Sequence, residues 1–95
     1  EVEVSSGVMA GYVLSAPRPD YPTLARVAHI GGPVVLQAVI AKNGSVLATH
    51  VLSGHRLLRG AAEDAVRQWR FRPYMIDGHP VEVSTIITLR FKAKH

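Results

Sequence analysis

Residues 33–53 read PVVLQAVIAKNGSVLATHVLS. Val, Ile and Leu dominate both flanks, and Asn43-Gly44 sits between them. That dipeptide is the favoured two-residue hairpin turn, in which both central positions take positive φ. Such a turn sets Ile40 opposite Leu47, Ala38 opposite Thr49 and Leu36 opposite Val51, all on one side of a sheet. The other side carries Val35, Gln37, Val39, Val46, Ala48, His50 and Leu52, with His50 opposite Gln37. It is less polar than a solvent face, which predicts partial cover and leaves dimerisation open.

Downstream, Arg56 to Arg70 has helical periodicity. Leu58, Ala62, Ala65, Val66 and Trp69 recur at i, i+4, i+7, i+8 and i+11 as one apolar stripe. Arg59–Glu63 and Glu63–Arg67 are i,i+4 charge pairs. Gly60 inside this helix predicts close backbone packing. Trp69 in the stripe makes Trp69→Ala a loss of roughly 3–5 kcal/mol. Ser53 reads as the helix N-cap. Pro73 ends the helical reach, and Asp77-Gly78 makes a turn.

The last strand is PVEVSTIITLRFKAK, from Pro80. Val81, Val83, Thr85, Ile87, Leu89 and Phe91 alternate with Glu82, Ser84, Ile86, Thr88, Arg90 and Lys92. One side is core and the other mostly wet, so helices cover one face of the sheet. Upstream, Pro22 opens a short helix. Tyr21, Leu24, Ala25 and Ala28 form its apolar face, and Gly31-Gly32 followed by Pro33 stops it.

The order is helix, strand, strand, helix, strand. This predicts an α+β fold with two helices on one face of a three-stranded antiparallel sheet, in order 2-1-3. Residues 17–95 form the domain. Residues 1–16 are an extended or loose lead-in, with room for one short strand, and APRPDYP then restricts the chain to an extended path.

A 95-residue chain suits one domain, and 47% hydrophobic with 19% charged residues marks it as globular. Without cysteine there is neither a disulfide framework nor a thiolate nucleophile. No apolar run approaches the roughly 20 residues of a membrane span. The chain starts at Glu1 without an initiator Met, which reads as a piece of a longer protein with any anchor elsewhere. A net charge of +4 favours acidic partners.

The stretch AVRQWRFRPY, residues 65–74, interleaves Arg67, Arg70 and Arg72 with Trp69, Phe71 and Tyr74. A nucleic-acid surface would look like this, and so would a helix end turning into a strand. An RNA-reading sheet carries exposed aromatics on its strands. Here the strands hold only Phe91, on the core side, so the structural reading is preferred.

Catalytic chemistry is not visible. His29, His50, His55, His79 and His95 lack metal-ligand spacing. Ser53 and His55 lack an orienting carboxylate. Glu63 and Asp64 point to different azimuths of a helix. HIGGPV feeds a strand, not the helix N-terminus of a phosphate loop. The chain is expected to be no enzyme, with no cofactor and no metal.

The motifs taken in order resemble the C-terminal domain of the TonB family. They are Tyr21-Pro22, the Gly before the first strand, Asn43-Gly44, Ser53-Gly54, the helix ending in Trp69-x-Phe71-x-Pro73, and Asp77-Gly78-x-Pro80-Val81. The resemblance covers about Pro17 to Lys92. It implies a periplasmic domain of an energy transducer anchored in the inner membrane of a Gram-negative-type bacterium. A proton-driven motor complex would act through segments outside this chain. Outer-membrane transporters would be its partners, each offering a Ton box that adds as a strand to the sheet edge.

That edge is expected to be the last strand, with the backbone of Ser84, Thr85, Ile86, Ile87, Thr88, Leu89, Arg90, Phe91 and Lys92 as partner-binding residues. The resemblance adds Tyr21 and Pro22 near the receptor contact. A handful of backbone hydrogen bonds, after association costs, implies roughly micromolar binding. Arg90, Lys92 and Lys94 would steer an acidic segment to this edge; Lys near an edge also deters aggregation. Leu24 stands where a basic residue would help contact a receptor. The competing readings are a basic nucleic-acid-binding module and a TolA-like periplasmic protein-binding scaffold.

Overall fold

A computed structural model describes residues 2–93. The main sheet contains β3 (Gly32–Ile40), β4 (Val46–Ser53) and β8 (Val83–Phe91), with β3 paired antiparallel to both neighbours. This is the expected 2-1-3 arrangement. A fourth strand, β1 (Val2–Glu3), adds parallel to β8, so the order is β1-β8-β3-β4. Helix α3 (Arg56–Arg67) lies on β3 and β4, and α1 (Ser6–Ala10) lies against β8. Short α2 (Thr23–Val27) touches α3.

The core follows from alternation. Val34, Leu36, Ala38 and Ile40 of β3 and Val83, Ile87, Leu89 and Phe91 of β8 are buried. They meet Leu58, Ala62, Ala65 and Val66 of α3. The outer face stays open, with Leu52 and Ile86 exposed.

The hairpin turn differs from the expected one. The Gly44 N–H donates to the Ala41 carbonyl at 2.9 Å, so Lys42 and Asn43 are the central residues. Gly44 alone takes positive φ, at 90°. Ile40 therefore pairs with Val46, and the register recovers only at Val39–Ala48, with a bulge between. The bulge turns Leu47 outward, 57% exposed, and Val46 packs on the core in its place. Ala38–Thr49, Leu36–Val51 and Gln37–His50 pair as expected. The two-residue turn with both φ positive occurs instead at Asp77-Gly78 (51° and 78°). It joins β6 (Tyr74–Ile76) to β7 (His79–Val81), so Pro80 belongs to a separate hairpin.

The helix ends also move. His55 caps α3, its Nδ1 accepting from the Leu57 N–H at 3.1 Å, while Ser53 stays in β4. Arg59 Nε donates to the Gly54 carbonyl at 2.8 Å rather than pairing with Glu63. Nothing lies within 4 Å of a Cβ built at Gly60, so no close packing requires that glycine. Helix α2 stops before the glycines, with His29 in the left-handed region at φ 55°. Ile30 N–H reaches the Ala25 carbonyl and His29 N–H the Arg26 carbonyl, a Schellman closure. Only Ala25 of the expected α2 face is buried; Leu24 and Ala28 face solvent.

Residues 1–16, expected as a loose lead-in, fold onto this body from Val2 to Ser15. Ser5 caps α1, which buries Met9 in the core. Strand β2 (Val13–Ser15) pairs with β5 (Arg70–Phe71).

The interleaved stretch resolves here. Helix α3 ends at Arg67, so Trp69 lies beyond it and is half-buried rather than core. Phe71 is buried, and the Tyr74 ring meets the Tyr12 ring at a 48° tilt, with centroids 5.2 Å apart. Arg67 pairs with Asp64 at 2.9 Å and lies 3.9 Å from Glu63. Arg70 donates to the Trp69 and Arg67 carbonyls. Arg72 donates to the Gly11 carbonyl and sits 4.8 Å over the Tyr12 ring. All three cations have partners within the chain, Arg67 with carboxylates and Arg70 and Arg72 with backbone carbonyls.

Candidate functional site

Strand β8 has one side filled and one side partly open. Toward β3 it pairs along its whole length, from Val83 to Phe91. Toward the other side, β1 pairs only with Val83 and Ser84. Val2 N–H donates to the Glu82 carbonyl at 3.1 Å and Val4 N–H to the Ser84 carbonyl at 2.9 Å. Successive residues of a strand direct their backbone groups to opposite neighbours. The outward row therefore continues through Ile86, Thr88 and Arg90, and no strand among the described residues pairs with them there.

Two clefts run along this open half. One, of about 350 Å³, lies between Thr85–Thr88 and an apolar wall of Met9, Val13, Trp69 and Phe71. The next, of about 460 Å³, lies between Leu89–Lys92 and a wall of Pro17, Arg18, Tyr21 and Trp69. Trp69 borders both, held by its indole N–H on the Pro17 carbonyl at 3.0 Å. Arg18, Arg90 and Lys92 give the second cleft a cationic rim. The arrangement suits an extended chain that pairs with the edge and places side chains in the clefts.

The expected site residues divide. Ile86, Thr88 and Arg90 are exposed and lie on the outward row, and Lys92 is exposed just beyond the strand. Ile87, Leu89 and Phe91 turn both side chain and backbone inward. Ser84 is buried and its edge is taken by β1, so it departs from the expected open edge. Thr85 is buried, and its Oγ1 has no partner among the described residues. Tyr21 joins the second cleft: its hydroxyl donates to the Ile30 carbonyl and its ring meets Phe91 edge-on at 5.5 Å. Pro22 caps α2 and opens on a different cleft, with Arg56, Leu57 and Gly60. Lys94 lies outside the described residues.

Sequence reasoning missed the wall formed by Met9, Val13 and Arg18. Its only signal was a buried-type Met in a short apolar tract. Among the described residues no group of three His, Cys, Asp or Glu could hold a metal ion, and no helix is long and apolar enough to cross a membrane.

A family model for the Gram-negative bacterial TonB protein C-terminal region matches residues 17–93. The chain belongs to the TonB C-terminal domain family. Protein TonB of Vibrio cholerae serotype O1 is 35% identical over 77 residues, which is 79% of this chain and 32% of that protein. The chain thus spans about a third of the length of that TonB. The solution NMR structure of the Pseudomonas aeruginosa TonB C-terminal domain superposes with a TM-score of 0.73 at 26% identity. It covers 87% of this chain and 86% of that one. TonB proteins are non-enzymatic energy transducers, and in Gram-negative TonB this domain is periplasmic. The β1–α1–β2 flank lies ahead of the TonB family match, which begins at residue 17.

Proposed function

We propose that this chain is the receptor-binding domain of an inner-membrane energy transducer. It takes the Ton box of an outer-membrane transporter as an added strand along β8. The observation that carries this reading is the unpaired outward row of Ile86, Thr88 and Arg90, with clefts of about 350 and 460 Å³ running beside it. Family membership supports transporters as the partner class. Force generated by a proton-driven motor complex would reach the transporter through this added strand. Main-chain pairing tolerates varied partner sequences, and each hydrogen bond contributes only about 0.5–1.5 kcal/mol net, which suits a contact that cycles. The cationic rim of Arg18, Arg90 and Lys92 steers an acidic stretch of the partner toward the edge.

The test is an NMR titration of the labelled chain with the N-terminal segment of a transporter from the same bacterium. The amides of Ile86, Thr88 and Arg90 and the Trp69 indole are expected to shift. Shifts confined to Arg56–Arg67, with β8 unmoved, would overturn the assignment of the edge.

A further inference from the structure

Strand β1 occupies the first part of the same outward row that the partner's strand would use. We propose that Val2–Val4 is a resident strand in the partner's seat, displaced when the transporter segment binds. This rests on the strand-addition reading above. The resident also specifies the partner's chemistry: an extended segment parallel to β8, with apolar side chains at alternate positions and polar ones between.

Three observations carry it. The seat is continuous, because the Glu82 and Ser84 carbonyls that receive Val2 and Val4 begin the row that runs on through Ile86, Thr88 and Arg90. The resident is built as an edge strand should be, with Val2 and Val4 packed partly against the core and Glu3 exposed between them. It is also lightly held and separately hinged. Its ladder with β8 is only two residue pairs long, flanked by the Val2 N–H on the Glu82 carbonyl and the Val4 N–H on the Ser84 carbonyl, whereas Met9 anchors α1 in the core on its own. Between them Ser5 turns the chain off the edge, its Oγ accepting from the Val8 N–H at 3.3 Å. Residues 2–4 can leave without moving the apolar wall behind them.

The geometry also shows why displacement is needed. Ser5 and Ser6 stand beside Ile86, where β1 leaves the sheet. A parallel partner confined to the open half would begin against that turn and would reach only three outward residues. A longer partner strand needs the seat of β1.

The experiment compares the unmodified chain with Val4→Pro, which removes the N–H donated to Ser84. The probe is a synthetic peptide of a transporter's N-terminal segment from the same bacterium. Affinity is measured by calorimetry, and amide protection at Val2 and Val4 by hydrogen exchange. Val4→Pro is expected to bind about tenfold tighter, since it relieves competition worth about one hydrogen bond and its packing. In the unmodified chain, saturation with peptide is expected to strip protection from Val2 and Val4. Equal affinities with those amides still protected would overturn the resident-strand role and leave strand addition standing. Absence of binding to both chains would overturn strand addition itself, and the resident strand with it. Should Val4→Pro fail to fold, the protection measurement on the unmodified chain decides alone.

Discussion

The Phe71 N–H donates to the Gly44 carbonyl at 2.9 Å, and a Cβ on Gly44 would come within 1.8 Å of the Phe71 carbonyl oxygen. The tip of the central hairpin is thus clamped to the segment that follows α3. That segment carries Trp69 and, through β5, the β2 strand that helps wall the open edge.

Gly44→Ala is expected to destabilise the domain by at least about 2 kcal/mol, since it combines a left-handed φ with a clash against backbone. Chemical denaturation checks it. A midpoint within error of the parent chain would contradict the clamp.

Trp69→Ala distinguishes a core position from a half-buried one. As a core stripe residue Trp69 would cost about 3–5 kcal/mol to truncate. Half-buried between the clefts, with one hydrogen bond to Pro17, it is expected to cost roughly 1–2 kcal/mol. The variant should remain folded and lose most of its affinity for a transporter peptide. Unfolding at 25 °C would restore the core assignment.

Gly60 sits in mid-helix with open space where a Cβ would go. Gly60→Ala should therefore stabilise by roughly 0.5–1 kcal/mol. The melting temperature should rise by a few degrees, at about 4–8 °C per kcal/mol for a domain of this size. A fall would show that the glycine meets a constraint beyond its local surroundings.

Proline scanning separates the two sides of β8. Ile87 faces β3, opposite Leu36, so Ile87→Pro should break the internal ladder and unfold the sheet. Thr88 is exposed and its N–H lies on the outward row, so Thr88→Pro should keep the fold and weaken peptide binding at least about tenfold. Unchanged affinity in a folded Thr88→Pro would remove the open edge from the binding mechanism.

Alternation and helical periodicity were enough to place the three long strands and α3 and to order them. Ala38–Thr49 and Leu36–Val51 pair as read because a one-residue slip there would turn the apolar set of the strand to the other face. The turn at Gly44 was less legible. Asn-Gly suits both a two-residue turn and a turn with a following left-handed bulge residue, and contact with Phe71 selects the second. The cap at His55 and the closure at His29 were likewise chosen by surroundings, since better local candidates stood at Ser53 and Gly31.

The edge shows the same division. The sequence by itself determined which side chains of β8 face the core, because that is a local property of the strand. It also marked the last strand as flanking the hairpin, because the crossover leaves that position open. Only the tertiary structure decided how much of the edge is free. Val2–Val4 reach Ser84 across some eighty residues, and Met9, Val13 and Trp69 meet along one wall. Such contacts depend on the loop-closure cost and packing gain of the whole chain, which no window of neighbouring residues contains.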